Sequence, residues 1–464
     1  MRRLRVCLLL EGSYPYITGG VSAWVQDMIS GLPDVDFVLF TLSPAENQEL
    51  RYNFPPNVVE HKDAVIWKRY ESTVKVKNVD KIMEAVKGFH SALGVGTMPG
   101  NFLDFLAMIP EGFFLHDIAA VHDTGWNLIT ETNQQKNPLY PFTDYFWAWD
   151  SAHSMLFTTL GTPPPEADIY HAVSTGFAGI AGMAARARRN KPFLLTEHGL
   201  YHKEREMEIG KAKFVRGYQR DMWIKLYSNV SRLCYHYADK VTALFEENRQ
   251  KQIRLGADEA RAVVIPNGID VQRFSIPRQE REGFHVGLVG RVVPIKDIKT
   301  YIATARIVLE RIPEARFYCI GPTDEDPAYY HDCRLMVKSL RIEDRFEFTG
   351  RQNVLDYYSF LDVVMLTSIR EAQPLVILEA YCAGVPFVAT RVGNVAEMLD
   401  YDDRFIAPLK DAEKLAEGVI YIYNHPSEMK ELVKKNMNKV RTFYNKDELR
   451  GKYETLYREM AGEG

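Results

Sequence analysis

Short apolar runs rich in branched residues alternate along most of the chain with longer stretches whose apolar residues recur at helical spacing. Such runs predict buried parallel strands, and the amphipathic stretches predict helices that cover them. The predicted strands cover residues 6–10, 168–173, 193–196, 240–244, 284–289, 315–320 and 361–366. Because strands and helices alternate in two successive series, we expect an α/β protein with two Rossmann-like domains.

Residues 51–165 interrupt this alternation. Residues 79–93 have a helical pattern, and aromatic residues such as Phe102, Tyr145, Trp147 and Trp149 follow. Aromatic residues at helical spacing form either a core or a docking surface for a partner or a membrane. We therefore expect a mainly helical insertion in the first domain.

The stretch 368–386 follows a predicted buried strand and predicts a helix N-terminus at the strand's end. Pro374 suits the first helical turn because its missing N–H would have no partner there, and Gly384 and Pro386 predict the helix end. A helix N-terminus presents unpaired amides, an arrangement that suits a phosphate. The amides in question belong to Ala372, Gln373, Leu375 and Val376.

Two glutamates flank this predicted phosphate site. Glu371 lies just before the helix and Glu379 lies inside it. A carboxylate accepts two hydrogen bonds, so each glutamate suits a pair of neighbouring hydroxyls. A solvated loop carboxylate and a solvated helix residue would explain the same pattern.

Further candidates lie on other strand-to-helix turns. Gly19 and Gly20 would let the backbone approach a ligand closely, although a tight turn alone also favours glycine. Arg291 and Lys296, five residues apart, would neutralise a diphosphate, although such pairs are often surface charges. His198 ends a predicted strand, where open α/β sheets bind ligands. Weaker candidates for an acceptor site follow that strand: Glu197, His202, Lys203, Glu204 and Arg205.

Composition narrows the function classes. A chain of 464 residues exceeds one ordinary core, and its formal net charge of −4 gives no sign of a nucleic-acid surface. The five scattered cysteines form no C-x-x-C pair and predict buried thiols in a reducing compartment. Glu11 ends the first apolar run too early for a signal peptide, and no run of about 18 apolar residues predicts a membrane span. We expect a cytoplasmic protein.

Metal ligands are weakly indicated. His116-Asp117 and His122-Asp123 have no third ligand at a useful spacing, and Asp324-Glu-Asp326 resembles an ordinary acidic turn. We expect no metal and no cofactor.

The longer motifs resemble one family. Glu371-x7-Glu379 with Gly384-x-Pro386, and Gly290-Arg291-x4-Lys296-Asp297, are similar to the donor-site signature of retaining glycosyltransferase family 4, which has the GT-B fold. Pro266-Asn-Gly-x-Asp270 resembles the link between that family's domains. The resemblance implies domains at 1–275 and 284–440 facing a cleft, with a helix in 441–464 returning to the first domain.

Within that family the chain resembles PelF-like exopolysaccharide glycosyltransferases. The resemblance rests on the segments 11–16 and 19–22, on Glu371-Ala372-Gln373-Pro374 and on the aromatic insertion. It implies transfer of a hexose from a UDP-sugar such as UDP-glucose to a growing saccharide acceptor in Pel-type biofilm polysaccharide, beside a membrane synthase and export complex at the inner membrane. Ala372 and Pro374 replace the family's commoner glycines, which leaves sugar selectivity open.

The resemblance also implies residue roles. Arg291, Lys296 and the helix amides, including that of Leu375, would offset the leaving diphosphate. Glu371 and His198 would contact the sugar, Glu379 the ribose, and Gly19 and Gly20 the donor phosphate. A loop with Arg351, Asn353 and Val354 would meet the base.

Two other functions fit the same residues. A UDP-sugar epimerase would interconvert donors without an acceptor. A UDP-sugar-binding scaffold or regulatory subunit of a membrane polysaccharide synthase complex would bind the donor without turnover. The set Arg291, Lys296, Glu371 and Glu379 favours an enzyme.

Overall fold

The computed structural model describes residues 3–94, 96–136, 141–212, 215 and 217–462. The chain forms two compact units. The first runs to Ile265 and resumes at Arg450, and the second is Pro266–Leu449. Residues 95, 137–140, 463 and 464, which belong to the predicted insertion and last segment, lie outside the described residues.

The strands of the first unit are β1 (Leu4–Glu11), β2 (Val35–Ser43), β3 (Val58–Val65), β4 (Ile169–Ala172), β5 (Phe193–Glu197), β6 (Lys240–Ala243) and β7 (Ala262–Val264). Its helices are α1 (Gly20–Gly31), α2 (Val79–Gly94), α3 (Phe102–Met108), α4 (His116–Ala119), α5 (Asp123–Lys136), α6 (Phe142–Gly161), α7 (Phe177–Arg189), α8 (Tyr201–Lys211), α9 (Gly217–Tyr237) and α10 (Glu246–Arg254).

The strands of the second unit are β8 (Phe284–Val289), β9 (Ala315–Ile320), β10 (Phe346–Gly350), β11 (Val363–Leu366), β12 (Phe387–Thr390) and β13 (Ile406–Ala407). Its helices are α11 (Val271–Phe274), α12 (Ile298–Arg311), α13 (Pro327–Ser339), α14 (Val354–Tyr358), α15 (Leu375–Cys382), α16 (Val395–Met398), α17 (Ala412–Asn424) and α18 (Pro426–Phe443). Helix α19 (Lys446–Ala461) begins in the second unit and ends in the first.

The first unit is built on a parallel sheet of seven strands in the order β3-β2-β1-β4-β5-β6-β7. Strand β1 is apolar and buried along most of its length, as expected for a central strand covered on both faces. The strand order reverses between β1 and β4. Such a reversal opens a crevice at the carboxyl ends of the two strands.

The insertion is mainly helical, as predicted, but it also contributes a strand. β3 pairs with β2 at the sheet edge, although four consecutive polar residues, 60–63, stand in its middle. An edge strand tolerates such exposure because only part of it is covered. Helices α2 to α6 then join the apolar core of the unit.

The end of α19 is held in the first unit by buried aromatic residues. The Tyr457 hydroxyl lies 2.7 Å from His171 Nδ1, and His171 Nε2 lies 2.8 Å from Thr196 Oγ1. Tyr453 stacks on the His171 ring at 5.9 Å between centroids. These contacts join β4, β5 and α19 in one buried network.

The second unit has a parallel six-stranded sheet in the order β10-β9-β8-β11-β12-β13, which reverses between β8 and β11. This unit starts at Pro266, whereas the sequence extended the first domain to residue 275. The difference arises because Ile269 and Phe274 pack into the second core. The two α/β units confirm the predicted fold class, two Rossmann-like domains of GT-B type.

All five cysteines are buried free thiols. Among the helices that the structure describes, none combines the length and apolar character needed to cross a bilayer.

Candidate functional site

The candidate site lies where the strand order of the second unit reverses. The loops after β8 and β11 are tied together there by two hydrogen bonds. The Ile369 N–H donates to the Ile295 carbonyl at 2.8 Å, and the Thr367 hydroxyl donates to the Lys296 carbonyl at 2.8 Å. Open α/β sheets bind ligands at such a reversal.

Lys296 and Glu371 meet at this point. Lys296 Nζ lies 2.6 Å from Glu371 Oε1, and the Ser368 hydroxyl donates to the same oxygen at 2.7 Å. The side chains of Lys296 and Glu371 are 19% and 17% exposed, so the pair is shielded from water but still reachable. An ammonium carries three N–H donors, so Lys296 has further donors for an anionic ligand.

Helix α15 presents its N-terminus beside this pair. Pro374 is the N-cap, one position before the predicted first turn, a difference within the ordinary uncertainty of helix boundaries. In the described part of the chain the amides of Ala372, Gln373, Leu375 and Val376 have no protein acceptor. Unpaired amides at a helix start favour a phosphate.

The other end of α15 closes as predicted. The Val385 N–H donates to the Ala380 carbonyl at 2.8 Å, and the Gly384 N–H donates to the Tyr381 carbonyl at 3.1 Å. This is a Schellman motif, and it places Gly384 at a φ of +79°.

Glu379 lies inside α15 against a buried tyrosine. The Tyr358 hydroxyl donates to Glu379 Oε2 at 3.0 Å. Burial raises the pKa of the Glu379 carboxyl, although the Tyr358 bond and then Arg273 oppose the rise. A single tyrosine bond leaves acceptor capacity for ligand hydroxyls.

Of the residues that the structure describes, the other predicted donor-site residues of the second unit form no hydrogen bond or ion pair with the Lys296–Glu371 pair. They are at least partly exposed or bind neighbouring protein groups. Arg291 is half exposed and binds Glu325 at 2.6 Å rather than joining Lys296. The Gln373 side chain brackets Asn267, accepting from its N–H at 2.8 Å and donating to its carbonyl at 3.3 Å. Asn353 caps α14 by accepting from Leu355 N. Arg351 is exposed and Val354 is half-buried.

Gly393 supports the loop that carries Glu371. Its φ is +49°, and a Cβ there would overlap the carbonyl oxygens of Glu371 and Ala372. The Asn394 N–H also donates to the Ala372 carbonyl at 2.8 Å. The backbone of residues 393–394 therefore packs directly under the loop 371–372.

We expect Gly393→Ala to destabilise the protein by about 3 kcal/mol, because the left-handed backbone and the overlap each cost roughly 1–2 kcal/mol. Denaturant unfolding measures this loss. Gly384→Ala is the matched control, because Gly384 has a similar φ but a Cβ there would meet only ordinary contacts beyond 3.6 Å. Equal losses in both variants would contradict a packing role for Gly393.

In the first unit, Gly19 is the N-cap of α1 and Gly20 is its first residue, and both are exposed. A Cβ at either glycine would meet no protein atom within 4 Å, and Gly19 is extended. The fold itself therefore does not require glycine there. Trp24 from α1 packs edge-on against His198, with 4.6 Å between ring centroids, so the turn and His198 are neighbours.

Glu197, which the sequence offered as a candidate for an acceptor site, is buried and not accessible to an acceptor. It is 2% exposed and accepts bonds from Tyr235 Oη at 2.6 Å, Gln252 Nε2 at 3.1 Å and Tyr201 N at 3.0 Å. Burial raises its pKa to about 7, and these bonds only partly oppose the rise. The other candidates are placed differently: Lys203 and Arg205 pair with Glu206 and Glu208, and His202 is buried.

The raised pKa of Glu197 predicts a loss of stability as pH rises. The unfolded chain releases this proton near its ordinary value of 4.5, but the folded chain holds it until about 7. The stabilisation that the protonated Glu197 gives the folded state is complete below about pH 4.5 and is lost by about pH 7. The free energy of unfolding changes by about 3 kcal/mol over this range. Glu197→Gln should remove this slope in denaturant unfolding between about pH 4.5 and 8. The exposed Glu208→Gln should retain it, and an unchanged slope in Glu197→Gln would contradict the assignment.

The sequence assigned no role to three residues that the structure brings to these sites. Ser368 binds Glu371, Tyr358 binds Glu379, and Trp24 packs on His198. Ser368 opens the stretch 368–386 and could have been proposed from it, and Trp24 lies two residues after the segment 19–22. Tyr358 carries no local signal. Within the described residues, no three His, Cys, Asp or Glu side chains are grouped to hold a metal ion.

Comparisons with known proteins divide the chain into two parts that correspond to the two structural units. Residues 4–260 match the family model described as "Domain of unknown function (DUF3492)", and residues 283–425 match "Glycosyl transferases group 1". The chain is 27% identical over 188 residues to N-acetyl-alpha-D-glucosaminyl L-malate synthase of Bacillus anthracis. That match covers 40% of this chain and 47% of the relative.

A longer match is 24% identical over 314 residues to UDP-Gal:alpha-D-GlcNAc-diphosphoundecaprenol alpha-1,3-galactosyltransferase of Escherichia coli. It covers 63% of this chain and 76% of the relative. Among solved structures, Anabaena HepE in complex with UDP aligns over 98% of this chain and 99% of its own, with a TM-score of 0.59 and 14% identity. The chain therefore belongs to the family defined by the domain of unknown function DUF3492, joined here to a group 1 glycosyl transferase domain.

Proposed function

We propose that this protein is a retaining glycosyltransferase that moves a hexose from a UDP-sugar to a saccharide acceptor without a divalent metal. The observation that carries the proposal is the Lys296–Glu371 pair, which lies at the sheet reversal beside the unpaired amides of α15. A cation, oriented amides and a carboxylate at one place suit a sugar attached to a diphosphate.

The positive groups would stabilise the leaving diphosphate. Charge grows on the phosphate oxygen as the sugar–oxygen bond breaks, so fixed donors there lower the barrier. Lys296 supplies a cation held in place by Glu371, and the amides of Leu375 and Val376 supply donors. Arg291, half exposed and bound to Glu325, would have to exchange that partner for phosphate.

The two glutamates would orient the sugar and the nucleoside. Glu371 keeps its Oε2 for sugar hydroxyls, since Lys296 and Ser368 both bind Oε1. Glu379 keeps acceptor capacity for the ribose hydroxyls. Backbone around Arg351, Asn353 and Val354 would meet the base, and Gly19, Gly20 and His198 remain the proposed ligand contacts of the first unit. We assign no protein nucleophile.

The choice of UDP rests on the relatives. One relative is named as a UDP-Gal-dependent galactosyltransferase, and HepE was solved with UDP. We further propose, from the segments 11–16 and 19–22 with the aromatic insertion, a PelF-like member of family 4 that acts in the cytoplasm on an exopolysaccharide beside a membrane complex.

Calorimetric titration with UDP, ADP and GDP tests the donor site. We expect UDP to bind at least about tenfold more tightly than ADP or GDP, a difference of about 1.4 kcal/mol, and EDTA to leave the affinity unchanged. Absence of binding to any nucleotide would contradict the proposal, and loss of UDP binding in EDTA would contradict its metal independence.

Product analysis then separates the alternatives. A transferase releases UDP from a UDP-sugar and moves the sugar to a saccharide acceptor. Interconversion of UDP-sugars without UDP release would identify an epimerase. Binding without turnover, even with membrane partners present, would identify a scaffold.

A further inference from the structure

A large cavity lies inside the first unit, between the helices of the insertion and α9. Its volume is about 800 Å³. Protein interiors leave few voids larger than a water molecule, and apolar voids destabilise a fold in proportion to their volume. Ligand pockets typically measure about 300–1,000 Å³. The cavity therefore has the size of a ligand pocket.

The walls of the cavity are mostly apolar, and aromatic side chains from three helices of the insertion form part of them. Phe89 comes from α2, Phe105 from α3, and Tyr145, Trp149 and Phe157 from α6. None of these side chains is more than 7% exposed. Walls of this kind hold water poorly and favour an apolar occupant.

Two histidines, His90 and His153, are among the polar residues that line the cavity. His153 Nδ1 lies 2.7 Å from the Trp149 carbonyl, and the two rings stack at 4.1 Å between centroids. His90 lies 5.1 Å from His153 between ring centroids. Burial, assisted by His90, lowers the pKa of His153 to about 3, so His153 is neutral at physiological pH. The interior of the cavity thus favours an uncharged part of a ligand.

Helix α9 forms a charged rim. Lys225 is exposed and Arg232 is half-buried, while Asp221 is the acidic residue of the same wall. Arg232 donates to the Gly96 carbonyl at 2.7 Å, and neither Lys225 nor Asp221 forms an ion pair with any described residue. The rim thus contains two cations and one carboxylate, and its net positive charge favours an anionic group.

We propose that this cavity binds an amphiphile whose apolar tail lies among the aromatic residues and whose anionic head, a carboxylate or a phosphate, lies at Lys225 and Arg232. The site is separate from the Lys296–Glu371 pair and does not depend on the proposed transfer reaction. Its aromatic wall belongs to the insertion that the donor-site motifs leave without a role.

The test is displacement of the fluorescent apolar probe N-phenyl-1-naphthylamine from the full-length protein. We expect dodecanoate and dodecyl phosphate to displace it at micromolar concentration, and neutral dodecanol to be at least about tenfold weaker, because charge-assisted bonds contribute about 1.5–3 kcal/mol. Equal affinities for dodecanol and both anions would overturn the proposal.

Two variants locate the site. Lys225→Glu should weaken the binding of both anions about tenfold and leave the affinity for dodecanol unchanged. The matched control is Lys81→Glu at an exposed position of α2, which should leave all three affinities unchanged. Leu93→Trp, at a half-buried lining position, should fill the cavity and abolish probe binding. A Leu93→Trp protein that melts like the wild type yet binds the probe normally would overturn the proposal. So would anion binding that is unaffected by Lys225→Glu.

Discussion

Replacement of Lys296 by alanine is expected to lower sugar transfer by about a thousandfold and to weaken UDP binding by about 10- to 100-fold. The reason is that Lys296 is the one described cation held at the sheet reversal by Glu371. Hydrogen bonds to charged groups contribute about 1.5–3 kcal/mol, and donors aimed at developing charge contribute about 10²–10³ in rate. The affinity follows from calorimetry with UDP, and the rate from UDP released from a panel of UDP-sugars.

Lys299→Ala is the matched control for this variant. Lys299 lies three residues further along, is 43% exposed and binds Asp332 at 2.9 Å. Its replacement should leave the UDP affinity and the rate of sugar transfer within about twofold of the wild-type values, because exposed ion pairs contribute little. The melting temperature of each variant checks the fold, since Lys296→Ala leaves the shielded Glu371 carboxylate without its cation. A Lys296→Ala protein with wild-type UDP affinity would contradict the assigned role.

Replacement of Glu371 by glutamine is expected to lower sugar transfer by about 100- to 1,000-fold while UDP affinity stays the same or improves by a few fold. Glu371 is proposed to face the sugar, which UDP lacks. Glutamine can still accept the Ser368 hydroxyl bond, but it leaves the full charge of Lys296 for phosphate. Of the two variants, only Lys296→Ala is thus expected to weaken UDP binding.

Glu325→Gln is the matched control for Glu371→Gln. Glu325 also binds a cation, Arg291, at 2.6 Å, but its side chain is 48% exposed. We expect its replacement to leave the rate within a few fold, because Arg291 would only be released toward solvent or ligand. Sugar transfer at the wild-type rate in Glu371→Gln would rule out its proposed contact with the sugar hydroxyls.

Much of the fold was predictable from local pattern. Strand 284–289 and strand 315–320 have the predicted bounds, because a buried parallel strand must be apolar on both faces. Gly384 marked the end of α15 because only glycine adopts the left-handed C′ position without cost. β3 was missed because an edge strand has a mixed polar pattern that resembles a loop.

The sequence by itself determined which residue types follow each strand: a lysine after β8, a glutamate after β11 and glycines after β1. Only the tertiary structure decided which of them meet. Lys296 and Glu371 are 75 residues apart and touch because the strand order places β8 beside β11, and the same order leaves Arg291 with Glu325. Burial of Glu197, the bond from Tyr358 to Glu379 and the cavity of the insertion likewise depend on how distant elements pack, which local pattern does not encode.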